Sequence, residues 1–337
     1  MLPNYDGLKV LVTGADGFIG SHLAETLVEA GADVTALCLY NSFDSYGWLD
    51  EAPMPIFMAM RRIRGDVRDA AFMRRITEGQ DVVFHLAALI AIPYSYEAPQ
   101  SYVETNVLGT LNVLEAARAD DVGRVVHTST SEVYGTAQRL PIDESHPLQG
   151  QSPYSASKIG ADMIAEAFSR SYGMPVAILR PFNAFGPRQS ERAIIPTIIR
   201  QLLDPTCMVL KVGDTTTKRD FTFVDDTVSA FMTLGNSRTI RFGVPYNAGS
   251  GSSISIGDLI ELLSDVVGRT KPVVEEGQRL RPGNSEVRVL LADSTRLLAE
   301  GGWRPAISLR CGLERTADWW SERIANHRVR RDSTFMA

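Results

Sequence analysis

Between His127 and Lys158 the chain gathers side chains that can move protons. The stretch reads His-Thr-Ser-Thr-Ser-Glu-Val-Tyr-Gly, then an acidic, proline-containing connection, then Pro-Tyr-Ser-Ala-Ser-Lys. Tyr154 and Lys158 are four positions apart, so on a helix they share one face, one turn apart. An ammonium beside a phenol favours the phenolate and lowers its pKa, which suits Tyr154 to exchange a proton near neutral pH. Ahead of the pair, Thr130, Ser131 and Glu132 place hydroxyls and a carboxylate at a predicted strand end. Hydroxyls there commonly serve only the backbone. The pattern takes its meaning from what surrounds it.

The elements that must position these residues begin at the N-terminus. Lys9–Thr13 is a short β-branched run, read as a buried strand. It enters Gly14-Ala-Asp-Gly17-Phe18-Ile19-Gly20, after which Leu23, Leu27 and Val28 keep helical spacing up to Gly31. Val34–Leu39 is the next strand. A strand, a glycine-rich turn, a helix and a strand make a dinucleotide-binding unit, in which glycines let the backbone approach a pyrophosphate at the helix N-terminus. The spacing is G-x-x-G-x-x-G rather than G-x-G-x-x-G. The acid expected to read the ribose belongs at the end of the second strand. Cys38, Leu39 and Tyr40 stand there, with neither a carboxylate nor an arginine, so NAD is favoured over NADP. The aromatic connection from Tyr40 to Pro55 reads as a packed surface loop or as a lid.

Farther on, a third strand leads to Gly65-Asp66-Val67. A fourth, Asp81–His85, leads to Leu86-Ala87-Ala88, whose small residues allow close approach of a flat ring. His85, a lone strand-end histidine, is read as structural. Ser101–Arg118 is an amphipathic helix with Asn106 on its buried side, where an amide must find a partner. A fifth strand, Arg124–Ser129, delivers the reactive stretch, and a sixth, Val176–Leu179, runs into Arg180-Pro-Phe-Asn183. Past Pro187 the β-α alternation fades. The expected fold is therefore α/β: a Rossmann-type, doubly wound parallel sheet with a smaller mixed α/β substrate lobe. The expected division is 1–180 for the dinucleotide domain, with 221–250 returning to it. Segments 181–220 and 251–325 form the lobe, and 326–337 a frayed tail.

Composition narrows the class. The 337 residues are 44% hydrophobic and 22% charged with a net charge of −6, ordinary for a globular protein and unlike a general nucleic-acid binder. Cys38, Cys207 and Cys311 lack metal-ligand spacing, which argues for no metal site and a reduced, cytoplasmic setting. No signal peptide is read at the start, and no apolar run approaches the roughly 20 residues of a membrane helix.

Taken together, the motifs resemble the extended short-chain dehydrogenase/reductase family that acts on nucleotide sugars. They are the glycine turn, His85-Leu-Ala-Ala88, Asn106-Val-Leu-Gly-Thr110, Thr130-Ser-Glu-Val-Tyr-Gly135, Tyr154-x-x-x-Lys158, Arg180-Pro-Phe-Asn183, Arg219-Asp-Phe and Arg281-Pro-Gly283. The resemblance implies NAD(P) on Gly14, Gly17, Phe18, Ile19, Gly20, Asp66, Val67, Leu86, Ala87, Ala88, Asn106, Ser129, Tyr154 and Lys158. It also implies a nucleotide sugar in the cleft and a homodimer through a helical interface. Arg219 and Arg281 are candidates for the substrate diphosphate, since a guanidinium can bind phosphate bidentately. Asn183 is a candidate for a phosphate or sugar hydroxyl. Lys211, Lys218, Arg279 and Arg288 are read as solvated.

Within the family, Thr130-Ser131-Glu132 resembles the 4,6-dehydratases rather than the 4-epimerases. Tyr40-Asn-Ser-Phe, Leu89-Ile-Ala-Ile-Pro-Tyr-Ser-Tyr96 and Pro147-Leu-Gln-Gly-Gln-Ser-Pro-Tyr154 are similar to the NAD-dependent dehydratases of legionaminic acid biosynthesis. This implies oxidation at carbon 4, loss of water across carbons 5 and 6, and reduction at carbon 6 of a UDP- or GDP-N-acetylglucosamine. Tyr154, Lys158, Thr130, Ser131 and Glu132 are the implied catalytic residues, Ser131 standing where many dehydratases carry an acid. The alternatives are a 4-epimerase, a uronic-acid decarboxylase, or a dinucleotide sensor without catalysis.

Overall fold

The computed structural model describes residues 3–277 and 287–329. Seven parallel strands form the central sheet: β1 (Lys9–Thr13), β2 (Asp33–Leu39), β3 (Arg61–Gly65), β4 (Val82–His85), β5 (Arg124–Thr128), β6 (Val176–Pro181) and a last strand, Pro245–Ala248. Their spatial order is Pro245–Ala248, β6, β5, β4, β1, β2, β3. The order in which successive strands are added reverses between β1 and β4, which run parallel and whose ends meet at the Thr13–His85 pairing. Such a switch opens a crevice at the carboxyl ends of the strands.

The strands are buried on both faces, as parallel strands between helices must be. Alternate side chains sort into two cores. Val10, Val12, Phe84, Val126, Ala177 and Leu179 face one layer, with the helices Phe18–Glu29 and Val224–Asn236 and much of the later chain. Leu11, Val83, Val125, Val176 and Ile178 face the other, with the helices Ala70–Thr77, Gly109–Ala119 and Pro153–Tyr172. Burying each Val, Leu, Ile or Phe contributes about 1.5–3 kcal/mol, so a one-residue register slip would exchange both cores at once.

Beyond β6 the chain builds small two-stranded pairs: Ala184–Phe185 with Thr222–Phe223, Lys218–Arg219 with Ile254–Ser255, and Leu210–Val212 with Val273–Glu275. The helices Ile194–Leu203, Ile256–Val267 and Leu309–Ala325 pack beside them. The Tyr40–Pro55 connection is not a free flap. It forms a 3-10 turn, Gly47–Glu51, and the Trp48 ring lies 5.6 Å from that of Trp319 on the last helix. Arg323 stacks over both indoles and pairs with Glu51 at 2.7 Å. Of its aromatics Tyr40 and Phe43 stay open, at 70% and 87% exposure. Among the described residues, no helix is long and apolar enough to cross a membrane, and no cluster of His, Cys, Asp and Glu could hold a metal.

Candidate active site

The glycine turn is shaped by close approach. Gly14 has φ +70°, and a Cβ there would lie 2.8 Å from the Ala87 nitrogen; a Cβ on Gly20 would lie 2.1 Å from the Gly14 oxygen. Turn, helix start and the β4 end are therefore in backbone contact. Gly17 caps the Phe18–Glu29 helix without a side-chain oxygen, so the first-turn N–H groups of Phe18 and Ile19 are suited to an anion. At the β4 end, Thr13 Oγ1 accepts from the Leu86 and Ala87 N–H groups, both at 3.1 Å. His85 is wedged between Thr13 Oγ1 at 2.9 Å and Thr110 Oγ1 at 3.0 Å. Burial keeps its pKa well below the usual histidine value, and it packs rather than reacts.

Asn106 finds its partners. The Ser101–Arg118 stretch opens into a π-helical segment at Val103–Leu108, which is the departure from the expected uninterrupted helix. The wider turn brings Asn106 to accept from Leu89 N–H at 2.8 Å. Its Nδ2 donates to Leu89 O at 3.0 Å and to Ser157 Oγ at 2.9 Å. It thereby ties the chain after β4 to the Tyr-Lys helix. Asp66 is engaged by Arg68 at 2.6 Å, and Val67 lies under Gly109.

The Tyr-Lys helix, Pro153–Tyr172, starts with Pro153 and a reciprocal Ser152–Ser155 capping box and ends at left-handed Gly173. These devices fix the first turn, which carries Tyr154. Thr130 begins the Ser131–Tyr134 turn, accepting Glu132 N–H at 3.2 Å. Its hydroxyl also favours the ionised form of the nearby Tyr154 phenol. Lys158 donates to Thr128 O at the end of β5. The structure thus brings Thr130, Glu132, Tyr154 and Lys158 together at the carboxyl ends of the strands. Ser131 is buried, at 3% exposure, beside them.

One electrostatic expectation is corrected. Burial pushes the Tyr154 phenol well up, the Thr130 hydroxyl opposes this, and the charge of Glu132 adds to the rise. Lys158 is itself brought down to about 8 by burial, with Asp162 opposing. A lysine one turn away does not offset the desolvation of a fully enclosed phenol. In the protein alone Tyr154 holds its proton.

Beneath the pair lies a residue that sequence reasoning missed. Asp162, wholly buried, accepts from Ser129 Oγ at 2.7 Å and from Arg180 Nε and a terminal nitrogen at 3.1 and 2.9 Å. His127 Nε2 stands 3.2 Å from its other oxygen. Burial raises its carboxyl pKa, but nearby His127, the Arg180 charge and the Ser129 hydrogen bond prevail and hold it low. Ser129, expected on the cofactor, is turned to this carboxylate. The available signal was an aspartate four residues beyond Lys158, on the apolar face with Ala161 and Ala165.

The substrate candidates are partly assembled. Asn183 Nδ2 donates to Asp220 O at 3.2 Å, and Arg219, 8% exposed, donates to Lys218 O at 3.0 Å. Asp220, also missed, accepts the N–H groups of Ser250, Gly251 and Ala292 and joins these loops. Lys211, Lys218 and Arg288 are exposed, Lys211 lying 3.4 Å from Glu276. Arg281 and Arg279 lie outside the described residues.

The sequence model of the family described as GDP-mannose 4,6 dehydratase matches residues 11–316. The chain belongs to this family of nucleotide-sugar dehydratases and epimerases. A dTDP-glucose 4,6-dehydratase of Streptomyces antibioticus is 34% identical over 94% of each chain. DesIV, a dTDP-glucose 4,6-dehydratase of Streptomyces venezuelae solved with NAD bound, is 32% identical and superposes with a TM-score of 0.81 over 94% of this chain and 98% of that one. The epimerase Mth375 of Methanothermobacter thermautotrophicus is 31% identical, with a TM-score of 0.85 over 96% and 95%. Both reactions thus occur among relatives of this dehydratase/epimerase-family enzyme.

Proposed function

We propose that the protein is an NAD-dependent nucleotide-sugar 4,6-dehydratase of the kind found in legionaminic acid biosynthesis, acting on UDP- or GDP-N-acetylglucosamine. The observation that carries the reading is Glu132, on the turn that Thr130 caps, whose charge acts on the Tyr154 phenol. A carboxylate so placed has no task in epimerisation at carbon 4, whereas a dehydratase needs a base for carbon 5.

The glycine turn fits NAD, because Gly14 and Gly20 admit no Cβ and the helix beyond lacks a side-chain cap. NAD, when bound, supplies a site for hydride storage and a positive ring. The residues of the chain do the rest. Where the positive nicotinamide ring and the Lys158 ammonium beside it favour the phenolate, Tyr154 takes the proton of the sugar 4-hydroxyl, Thr130 orients that oxygen, and Lys158 holds both the phenol and the ribose. The carbon-4 ketone acidifies carbon 5, where Glu132 removes the proton. The departing hydroxyl on carbon 6 takes a proton from Glu132 or from a water held by Ser131. Reduction at carbon 6 leaves an enolate across carbons 4 and 5; Glu132, carrying a proton again, returns it to carbon 5 so that carbon 4 ends as the ketone, and Tyr154 gives its proton up to water. Arg219 and Arg281 bind the substrate diphosphate and Asn183 a phosphate or sugar hydroxyl, in a lobe formed by 181–220 and 251–325, and the protein works as a homodimer.

The test is incubation of purified protein with UDP-, GDP-, dTDP- and CDP-sugars and mass spectrometry of the products. Loss of one water mass is the expected result. An isomer of unchanged mass would establish an epimerase instead.

A further inference from the structure

The second strand ends without the acid that normally reads the adenosine ribose, yet that place is not without a carboxylate. Asp16, in the glycine turn between Gly14 and Gly17, reaches across so that its Oδ2 accepts the Leu39 N–H at 3.3 Å. Leu39 is the last residue of β2, at 56% exposure. A carboxylate from the turn thus stands at the very strand end where a ribose-reading acid belongs. We propose that Asp16 reads the ribose hydroxyls of the cofactor in place of the missing β2 acid, and that it excludes a 2′-phosphate. The proposal rests on the dinucleotide reading above and adds a specificity-determining residue to it.

Two further observations hold the assignment together. First, Asp16 is fixed from outside. Its carbonyl accepts Trp48 N–H at 3.1 Å, and a Cβ on Gly47, where φ is +61°, would lie 2.5 Å from that oxygen. The aromatic loop therefore presses the turn into the shape that aims Asp16 at β2. A carboxylate offers about four acceptor sites, so the Leu39 bond leaves capacity for ribose hydroxyls. Burial raises the Asp16 pKa while its own N–H and that of Leu39 lower it, as expected for a half-buried acid bonded only to backbone.

Second, the adjoining cations are already committed. An open cavity of about 500 Å³ beyond β2 and β3 is lined by Tyr40, Arg64, Asp66, Arg68 and Asp69 among others. Arg64 pairs with Asp44 at 2.7 Å and stacks on Tyr46 at 3.9 Å. Arg68 is held by Asp66 at 2.6 Å. The two arginines and two aspartates of this lining cancel, and Asp16 tips the balance negative. A 2′-phosphate, carrying about −1.5 to −2 charge if it ionises like other phosphomonoesters, would meet a carboxylate and, among the described residues of this lining, two arginines already paired with aspartates.

Purified full-length protein, cleared of bound nucleotide, is titrated with NADH and NADPH by fluorescence. The wild type should prefer NADH by more than about tenfold. Asp16→Asn, which can still accept the Leu39 N–H, should weaken NADH roughly 10-fold and bring the two affinities within about threefold, as loss of a charged hydrogen bond implies. Adding Leu39→Asp to Asp16→Ala should restore NADH preference, which a merely structural role of Asp16 would not allow. An unchanged ratio in a folded Asp16→Asn protein would overturn the proposal, as would equal wild-type affinities. If the wild type binds neither dinucleotide, the cofactor reading falls first and this inference with it.

Discussion

Ser129 and Asp162 are joined by a 2.7 Å hydrogen bond from the serine hydroxyl to the carboxylate. One bond therefore ties the residue before Thr130 to the residue one turn beyond Lys158. Because Asp162 also holds Arg180, removing its charge leaves a guanidinium, 1% exposed as a residue, without its counter-ion. Asp162→Ala should cost about 3–5 kcal/mol of stability, measured by urea unfolding. A loss below about 1 kcal/mol would show that the network is not what secures this region.

Lys158 gives a stability signature with a definite sign. Its folded pKa is about 8 against 10.5 unfolded, so between those values the unfolded chain binds more protons. Stability then rises with pH across that window, by at most about 1.4 kcal/mol per unit from this group. Tyr154 acts oppositely above about 10, because its folded pKa is raised. Cys38 acts in the same opposing sense above 9.0, because burial raises its thiol to about 12, so the clean window is pH 8 to 9. Lys158→Met should remove the rise, seen by comparing unfolding midpoints of the two proteins across that range.

Glu132→Gln separates the steps of the reaction. Solvent deuterium should no longer enter carbon 5, and no product lighter by one water should form, while nucleotide-sugar binding by calorimetry is preserved. Wild-type turnover in this variant would remove Glu132 from the mechanism.

Gly20→Ala tests the turn itself. A Cβ 2.1 Å from the Gly14 oxygen cannot be accommodated without moving backbone. NADH binding should fall by at least about a hundredfold or be lost, together with a lower melting temperature. Gly79→Ala, at a positive-φ site with nothing within 4 Å, is the control: it carries backbone strain alone and should leave NADH affinity intact.

Much of this was legible from the chain, and the reasons are local. Val10, Leu11 and Val12 announce a strand buried on both faces, and Gly14 and Gly20 announce the turn, because each obeys a rule of short range. The Tyr154 helix could be read from Pro153, Ser152 and Gly173 in the same way. Asp162, Asp220 and Asp16 could not. A carboxylate in sequence looks solvated, and only the fold reveals that Arg180, Ser250 or Leu39 N–H has come to meet it. The phenol was misjudged for a related reason: spacing shows that Lys158 is near, whereas the extent of burial around Tyr154 depends on Tyr102, whose ring lies 6.2 Å away, and on other distant neighbours.

The contact of Glu51 with Arg323 spans 272 residues, and it has a temporal meaning. The cofactor turn emerges from the ribosome early, but the loop that braces it rests on a helix made almost last. Until Trp319 and Arg323 have been synthesised, the Trp48 ring lacks the indole and guanidinium it packs against, and the nascent turn carries its glycines without that outer support. Nucleotide capture by nascent chains should therefore come late, after the chain has passed residue 323, and fragments ending at 180 should bind weakly even with every glycine in place.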